Sequence, residues 1–263
     1  MIIDAHAHIF PEKIAAKAAV GIGDFYDIPM DNDGTLQTLI RLSDEAGVDK
    51  CIVQSVATVP HQVQSINNFI AESVAQYPDR LIGFGALHPD YEDIDGETKR
   101  IKELGLRGIK LHPDFQKFQL DDPCAFPIYE AAGKYGLPVL VHAGDHRYDF
   151  SGPARLRRAV DMFRNVTFIG AHFAGWSQWD EAQELFADKS IYVDLSSSLY
   201  DMTPERAAEL IHSFGADRVM FGTDYPMWTA KDELVRFNAI PLTDEERELI
   251  LYKNALRLLG NES

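Results

Sequence analysis

Eight short apolar runs recur along the chain, each closed by a polar or glycine-rich break: MIIDAHAHI, KCIVQSVAT, LIGFGALHP, RGIKLHP, PVLVHAG, VTFIGAHFAG, IYVDLSS and RVMFGTDYP. Most are continuous rather than alternating, the pattern of parallel strands buried on both faces. Helix-like stretches lie between them. TLQTLIRLSDEAGV sets Leu36, Leu39 and Ile40 at helical spacing and ends at Gly47, a natural C-cap. TPERAAELIHSFG opens with Thr203 as N-cap and Pro204 in the first turn. Strand followed by helix, eight times, predicts an α/β fold of the (β/α)8 TIM-barrel type. An open doubly wound sheet would want a glycine-rich phosphate loop after its first strand, where this chain has histidines. No linker or charge block divides the sequence, so residues 1–263 are expected to form a single barrel domain. The long first connection, FPEKIAAKAAVGIGDFYDIPMDNDG, is read as an insertion over the barrel mouth.

Charge narrows the partners. Lys and Arg total 25 against 41 Asp and Glu, a net charge of −16. A nucleic-acid binder needs a basic face to displace counterions, and an anionic membrane needs the same, so neither is expected as a partner. No run approaches the ~18 apolar residues of a membrane span. No basic flank or cleavage site marks a signal peptide, which makes the cytoplasm the expected location. The two cysteines, Cys51 and Cys124, suggest neither a disulfide framework nor a metal site, and Cys51 reads as a buried thiol.

Chemistry enters with the histidines. Strict strand alternation would put Asp4, His6 and His8 on one inward face and Ile3, Ala5 and Ala7 on the other. Buried polar groups left unpaired cost ~1–3 kcal/mol each, and one cation would satisfy both imidazoles. His88, His112, His142 and His172 each fall at the carboxyl end of an expected strand, and His61 and His146 lie in loops at that same end. Barrel enzymes build their sites there, whereas core packing has no reason to sort histidines to one end. Only His212 reads as an ordinary helix residue. The eighth run adds Asp224, whose buried charge needs a partner, a metal, or a turn to cap.

The stretches DAHAHIF, VHAG, GAHFAG, GTDYP and the closing NALRLLG together resemble the amidohydrolase superfamily. More narrowly they resemble its amidohydrolase-related branch, which includes aminocarboxymuconate-semialdehyde decarboxylase and aromatic-acid decarboxylases. The resemblance implies His6, His8, His142 and Asp224 as metal ligands. It implies His172 as the residue that holds or activates water at the metal, with Asp224 also moving protons. One divalent ion is expected, zinc first, with manganese, iron or cobalt as alternatives. Lys110 and His112 alternate onto one face of the fourth strand and are read as substrate-binding. A carboxylated Lys110 and an ion pair of Lys110 with Asp4 or a nearby carboxylate are the competing readings. Trp176, with Trp179 behind it, could stack on a planar substrate or cap the barrel. His88 is a pocket residue or a hydrogen-bond anchor.

Two reactions use the same groups. Hydrolysis of a small-molecule C–O or C–N bond is the first expectation, as the broader class. Non-oxidative decarboxylation of a small aromatic or unsaturated acid is the alternative. A metal-containing barrel that only binds a small molecule or a partner protein is the reading from a different class. The partner in either reaction is a small-molecule substrate, and a homodimer is expected from the commonness of such assemblies.

Overall fold

The computed structural model describes residues 1–188 and 190–260. Its strands are β1 (Ile3–His8), β2 (Lys50–Gln54), β3 (Leu81–Gly83), β4 (Gly85–Ala86), β5 (Ile109–Leu111), β6 (Val139–Val141), β7 (Phe168–Gly170), β8 (Tyr192–Asp194) and β9 (Val219–Met220). All paired neighbours run parallel, in the orders β1-β2-β3 and β4 through β9. β3 and β4 are one strand position interrupted at Phe84, whose amide donates to the Val53 carbonyl (2.9 Å). The other seam closes where Ala7 bridges Tyr225 and the Ala5 amide reaches the Phe221 carbonyl (2.8 Å). The eight expected strand positions are therefore all present, wound into a closed cylinder.

Ten helices follow in chain order: α1 (Glu12–Tyr26), α2 (Leu36–Ala46), α3 (Val63–Gln76), α4 (Ile94–Glu103), α5 (Pro113–Gln116), α6 (Phe126–Tyr135), α7 (Pro153–Met162), α8 (Trp179–Phe186), α9 (Pro204–Phe214) and α10 (Ala230–Asn238). The chain ends in α11 (Asp244–Glu248) and α12 (Asn254–Leu258), joined by a π-helical stretch. The local signals act as expected. Gly47 takes the left-handed C-cap of α2 (φ 73°), and the Thr203 side chain accepts from the Arg206 amide at the start of α9. No described helix is long and apolar enough to cross a membrane.

Alternation sorts two apolar layers. Ile52, Phe84, Leu140, Ile169, Tyr192 and Met220 cluster inside the cylinder. Their chain neighbours Val53, Val139, Val141, Phe168, Val193 and Val219 pack outward with the helices. Ala255 and Leu259 join the inner cluster, and Arg107, just before β5, donates to the Leu259 carbonyl (2.5 Å). The C-terminal helix thus stops the amino end of the barrel.

β1 corrects a reading made from strict alternation. Ile3 and Ala5 belong to the inner cluster, whereas Ala7 and Ile9 belong to the outer one. The register against β2 slips between Asp4 and Ala7: Asp4 pairs Cys51 and Ala7 pairs Val53, leaving one extra residue on β1. This bulge turns two successive residues, Ala5 and His6, inward. Asp4 does not share the face of His6 and His8. Its carboxylate instead accepts from the Thr223 amide (3.0 Å) and hydroxyl (2.6 Å), which ties β1 to the turn after β9.

The insertion after β1 is largely helical. Residues 12–26 form a helix of 15 residues, buried along Ala15, Ala19 and Gly23. A Cβ at Gly23 would stand 2.8 Å from the Ile28 carbonyl oxygen, so only glycine lets the chain fold back there. Cys51 is buried with its Sγ 3.3 Å from the Ser43 hydroxyl, while Cys124 is exposed.

One buried carboxylate sets a pH dependence of stability. Glu233 is 1% exposed, and burial raises its pKa from 4.5 to about 7 against the opposing pull of Arg236. Between those values the folded chain holds a proton that the unfolded chain has released. Stability from this group is therefore full below pH 4.5, falls as pH rises to 7, and is flat above. Glu233→Gln should raise Tm at pH 8 by a few degrees, for about 1–2 kcal/mol, and leave Tm at pH 4 unchanged. Thermal melts at both pH values check this.

Candidate metal centre and active site

The carboxyl ends of the strands surround a cavity of about 450 Å3. Its floor holds His6, His8, Lys110, His142, His172 and Asp224, and His112 lines it beside Lys110. Five imidazoles, one ammonium and one carboxylate thus meet where the sequence expected them to meet.

Three donors converge. His6 Nε2 lies 3.1 Å from His8 Nε2 and 3.4 Å from Asp224 Oδ1, and His8 Nε2 lies 3.5 Å from that oxygen. Two ligands bound at ~2.0–2.1 Å to a tetrahedral ion stand roughly 3.3 Å apart, so the triangle has the spacing of a ligand set. The tautomers agree. His6 Nδ1–H donates to Asp194 Oδ2 (2.9 Å), which leaves Nε2 as a bare lone pair. Burial, then the Lys110 charge, lowers the pKa of His8 well below its usual value, so His8 is neutral near pH 7. Burial opposes ionisation of Asp224, but positive charge at His6, His172 and His8, which a divalent cation would replace, and the Ser197 hydroxyl (2.6 Å) hold its pKa below the ordinary carboxylate range. Neutral imidazoles and an ionised carboxylate are what a divalent cation requires, and these residues fit one.

Lys110 projects inward from the middle of β5 and is 1% exposed. Its ammonium donates to His6 Nε2 (3.1 Å), not to Asp4. Burial lowers its pKa to about 8, opposed by Asp224 and Asp194.

His142 lies beside the triangle rather than in it. Its Nδ1 faces His172 Nε2 at 3.1 Å, and its buried Nε2 has no hydrogen-bond partner among the described residues. His172 sits in the left-handed region (φ 59°), as does Asp224 (φ 62°), a strained backbone that persists where the surroundings fix it. The His172 Nδ1–H donates to the Ser196 carbonyl (2.8 Å), which leaves Nε2 unprotonated and accepting from His142 Nδ1–H. Burial lowers the pKa of His172.

Asp194, at the end of β8, joins these parts and was missed from sequence. It accepts from His6 Nδ1–H, the His172 amide (3.2 Å), the Ser196 amide (3.1 Å) and the Ser196 hydroxyl (2.5 Å). Burial resists its charge, but His6 and these hydrogen bonds hold its pKa at about 2. The strand in IYVDLSS closes on this carboxylate as the strand in VLVHAG runs into its histidine, so the strand-end rule applies here too.

Trp176 does not line the cavity. It stands edge-on behind Tyr26, with ring centroids 5.1 Å apart, and 5.6 Å from the Arg147 guanidinium. Tyr26, from the last turn of α1, takes the place expected for Trp176 and shares a hydrogen bond with His112 Nε2 (2.9 Å). His112 also stacks on His142, with centroids 4.0 Å apart and planes at 6°. His88 is an anchor outside the lining, its Nδ1 accepting from the Asp90 amide (3.1 Å). His212 is half-exposed on α9 and pairs with Glu246 (2.9 Å).

A family model described as amidohydrolase matches residues 3–260. A 2-amino-3-carboxymuconate-6-semialdehyde decarboxylase of Dictyostelium discoideum is 38% identical over 81 residues, covering 30% of this chain and 23% of that protein. A gamma-resorcylate decarboxylase of Polaromonas sp. (strain JS666 / ATCC BAA-500) is 24% identical over 83% of this chain and 85% of its own. The solved structure of a dihydroxybenzoic acid decarboxylase from Polaromonas sp. JS666, with bound manganese and the inhibitor 2-nitroresorcinol, superposes with a TM-score of 0.77 at 18% identity, covering 100% of this chain and 98% of that one. A barrel closed at β1 and β9, a donor triangle at its mouth and a family match over nearly every residue agree, and the chain belongs to the amidohydrolase family.

Proposed function

We propose that the protein is a metal-dependent, non-oxidative decarboxylase of a small aromatic or unsaturated carboxylic acid. The relatives that match along most of the chain favour this over the hydrolysis first expected from sequence. The observation that carries it is the placing of one ammonium, Lys110, against the His6–His8–Asp224 triangle on the floor of an otherwise largely apolar cavity. That floor receives a carboxylate. Its walls favour a transition state whose charge is more dispersed than the carboxylate's.

His6, His8 and Asp224 would hold the divalent ion, with His142 as a proposed fourth ligand and zinc or manganese as the ion. When bound, the ion supplies Lewis acidity toward the substrate's oxygens. Lys110 orients the carboxylate, and His112 with Tyr26 shapes the adjoining wall. The carbon–carboxylate bond breaks, its electron pair stays on the carbon, and a proton takes the place of the departing CO2. His172 and Asp224 handle that proton. His172 rests neutral with Nε2 unprotonated, so it can accept a proton from substrate or solvent and pass it to the carbon. Asp194 keeps His6 in this tautomer, and the Ser196 carbonyl does the same for His172.

CO2 release from 2,6-dihydroxybenzoate and related hydroxybenzoates, set against hydrolysis of lactones, amides and esters, tests the reading. Decarboxylation without hydrolysis supports it, and hydrolysis without CO2 release overturns it. Asp194→Asn should weaken metal affinity about 10–100-fold with little change in Tm, measured by competition with a chelator.

A further inference from the structure

Away from its polar floor the cavity changes character. Ile14, Ala18, Gly21 and Ile22 recur at helical spacing on one face of α1 and line it, together with Ile66 and Phe69 of α3. Among the described residues Lys110 is the one lysine of the lining, and no arginine contributes to it. Two polar atoms of the α3 side, Gln62 Oε1 and the Ser65 hydroxyl, are already engaged. Gln62 Oε1 accepts from the Thr58 amide (2.9 Å) and hydroxyl (3.1 Å), and the Ser65 hydroxyl donates to the Gln62 carbonyl (2.9 Å). Ile14 is 51% exposed although it belongs to this wall. A Cβ built on Gly21 meets no atom within 4 Å, so space is left open there.

We propose that the substrate is a monocarboxylate bearing an uncharged apolar extension, seated between α1 and α3, and that the site discriminates against dicarboxylates. This rests on the reading that a carboxylate binds at Lys110 and the donor triangle. Lys110 answers one negative charge. A second carboxylate, held on the far side of the ring, would lose its water among Ile14, Ile22, Ile66 and Phe69 with no cation to replace it. Methylene groups in that place gain from leaving water, and the volume lies in the range of pockets that hold ligands well beyond a bare ring.

The test uses manganese-loaded protein and 2-hydroxybenzoates substituted at the 4-position, opposite the carboxylate. The alkyl series runs from methyl to propyl, and 2-hydroxyterephthalate carries the second charge at the same position. Calorimetry reads binding, and CO2 release is measured separately. Kd should fall about 4-fold per methylene, and 2-hydroxyterephthalate should bind at least ~10-fold more weakly than the propyl compound. Gly21→Leu, with Ala18→Leu as a second variant, should flatten the alkyl series in protein whose melting curve shows it folded. A flat series in the unaltered protein overturns the proposal, and so does 2-hydroxyterephthalate binding as tightly as the propyl compound. An unflattened series in both folded variants overturns the placement between α1 and α3. Alkyl-dependent binding with no CO2 released from any compound would sink the decarboxylase reading and support this one. CO2 release with a flat series would do the reverse.

Discussion

His8→Ala should empty the metal centre and lower kcat/KM by on the order of 10^3-fold, the loss expected when several kcal/mol of Lewis-acid stabilisation disappear. His8 is the cleanest of the proposed ligands to remove. Its Nε2 faces only the donor triangle, whereas His6 is also bonded to Asp194 and Asp224 to Ser197. Metal content of the purified variant and kinetics in added manganese read the two effects separately. A variant that keeps its metal and its rate would remove His8 from the ligand set.

His172→Ala should act differently. The variant keeps its metal, because His172 Nε2 faces His142 and not the triangle, but kcat falls about 10^2–10^4-fold, the usual contribution of a positioned acid–base group. KM should change far less than kcat. Loss of metal in parallel with rate would assign His172 to the ligand set instead, and an unchanged kcat would leave proton handling to Asp224 alone.

The barrel was legible because parallel strands buried on both faces write themselves as continuous apolar runs, and each of the eight runs became a strand position. The polar floor was legible for a related reason. Residues at the carboxyl ends of different strands meet at one mouth, so His6, His8, Lys110, His112, His142, His172 and Asp224 were drawn together before any contact was known. Three features were hidden. The bulge in β1 depends on pairing with β2, which no local pattern encodes, and it moved Asp4 off the histidine face. Glycines and aspartates in its connection mask the helix α1 and its apolar wall, and Tyr26 stands where the sequence suggests Trp176. Asp194 carried the same strand-end signal as the histidines. Its role as the shared acceptor for His6, His172 and Ser196 appears only once β1, β7 and β8 are side by side.

The central claim is that side chains from the first strand and from the turn after the last hold one divalent ion between them. Anomalous diffraction from crystals grown with manganese tests it most directly. The account predicts one strong peak among His6 Nε2, His8 Nε2 and Asp224 Oδ1. No peak there in a folded, manganese-saturated crystal, or a peak only at some other cluster, would contradict it.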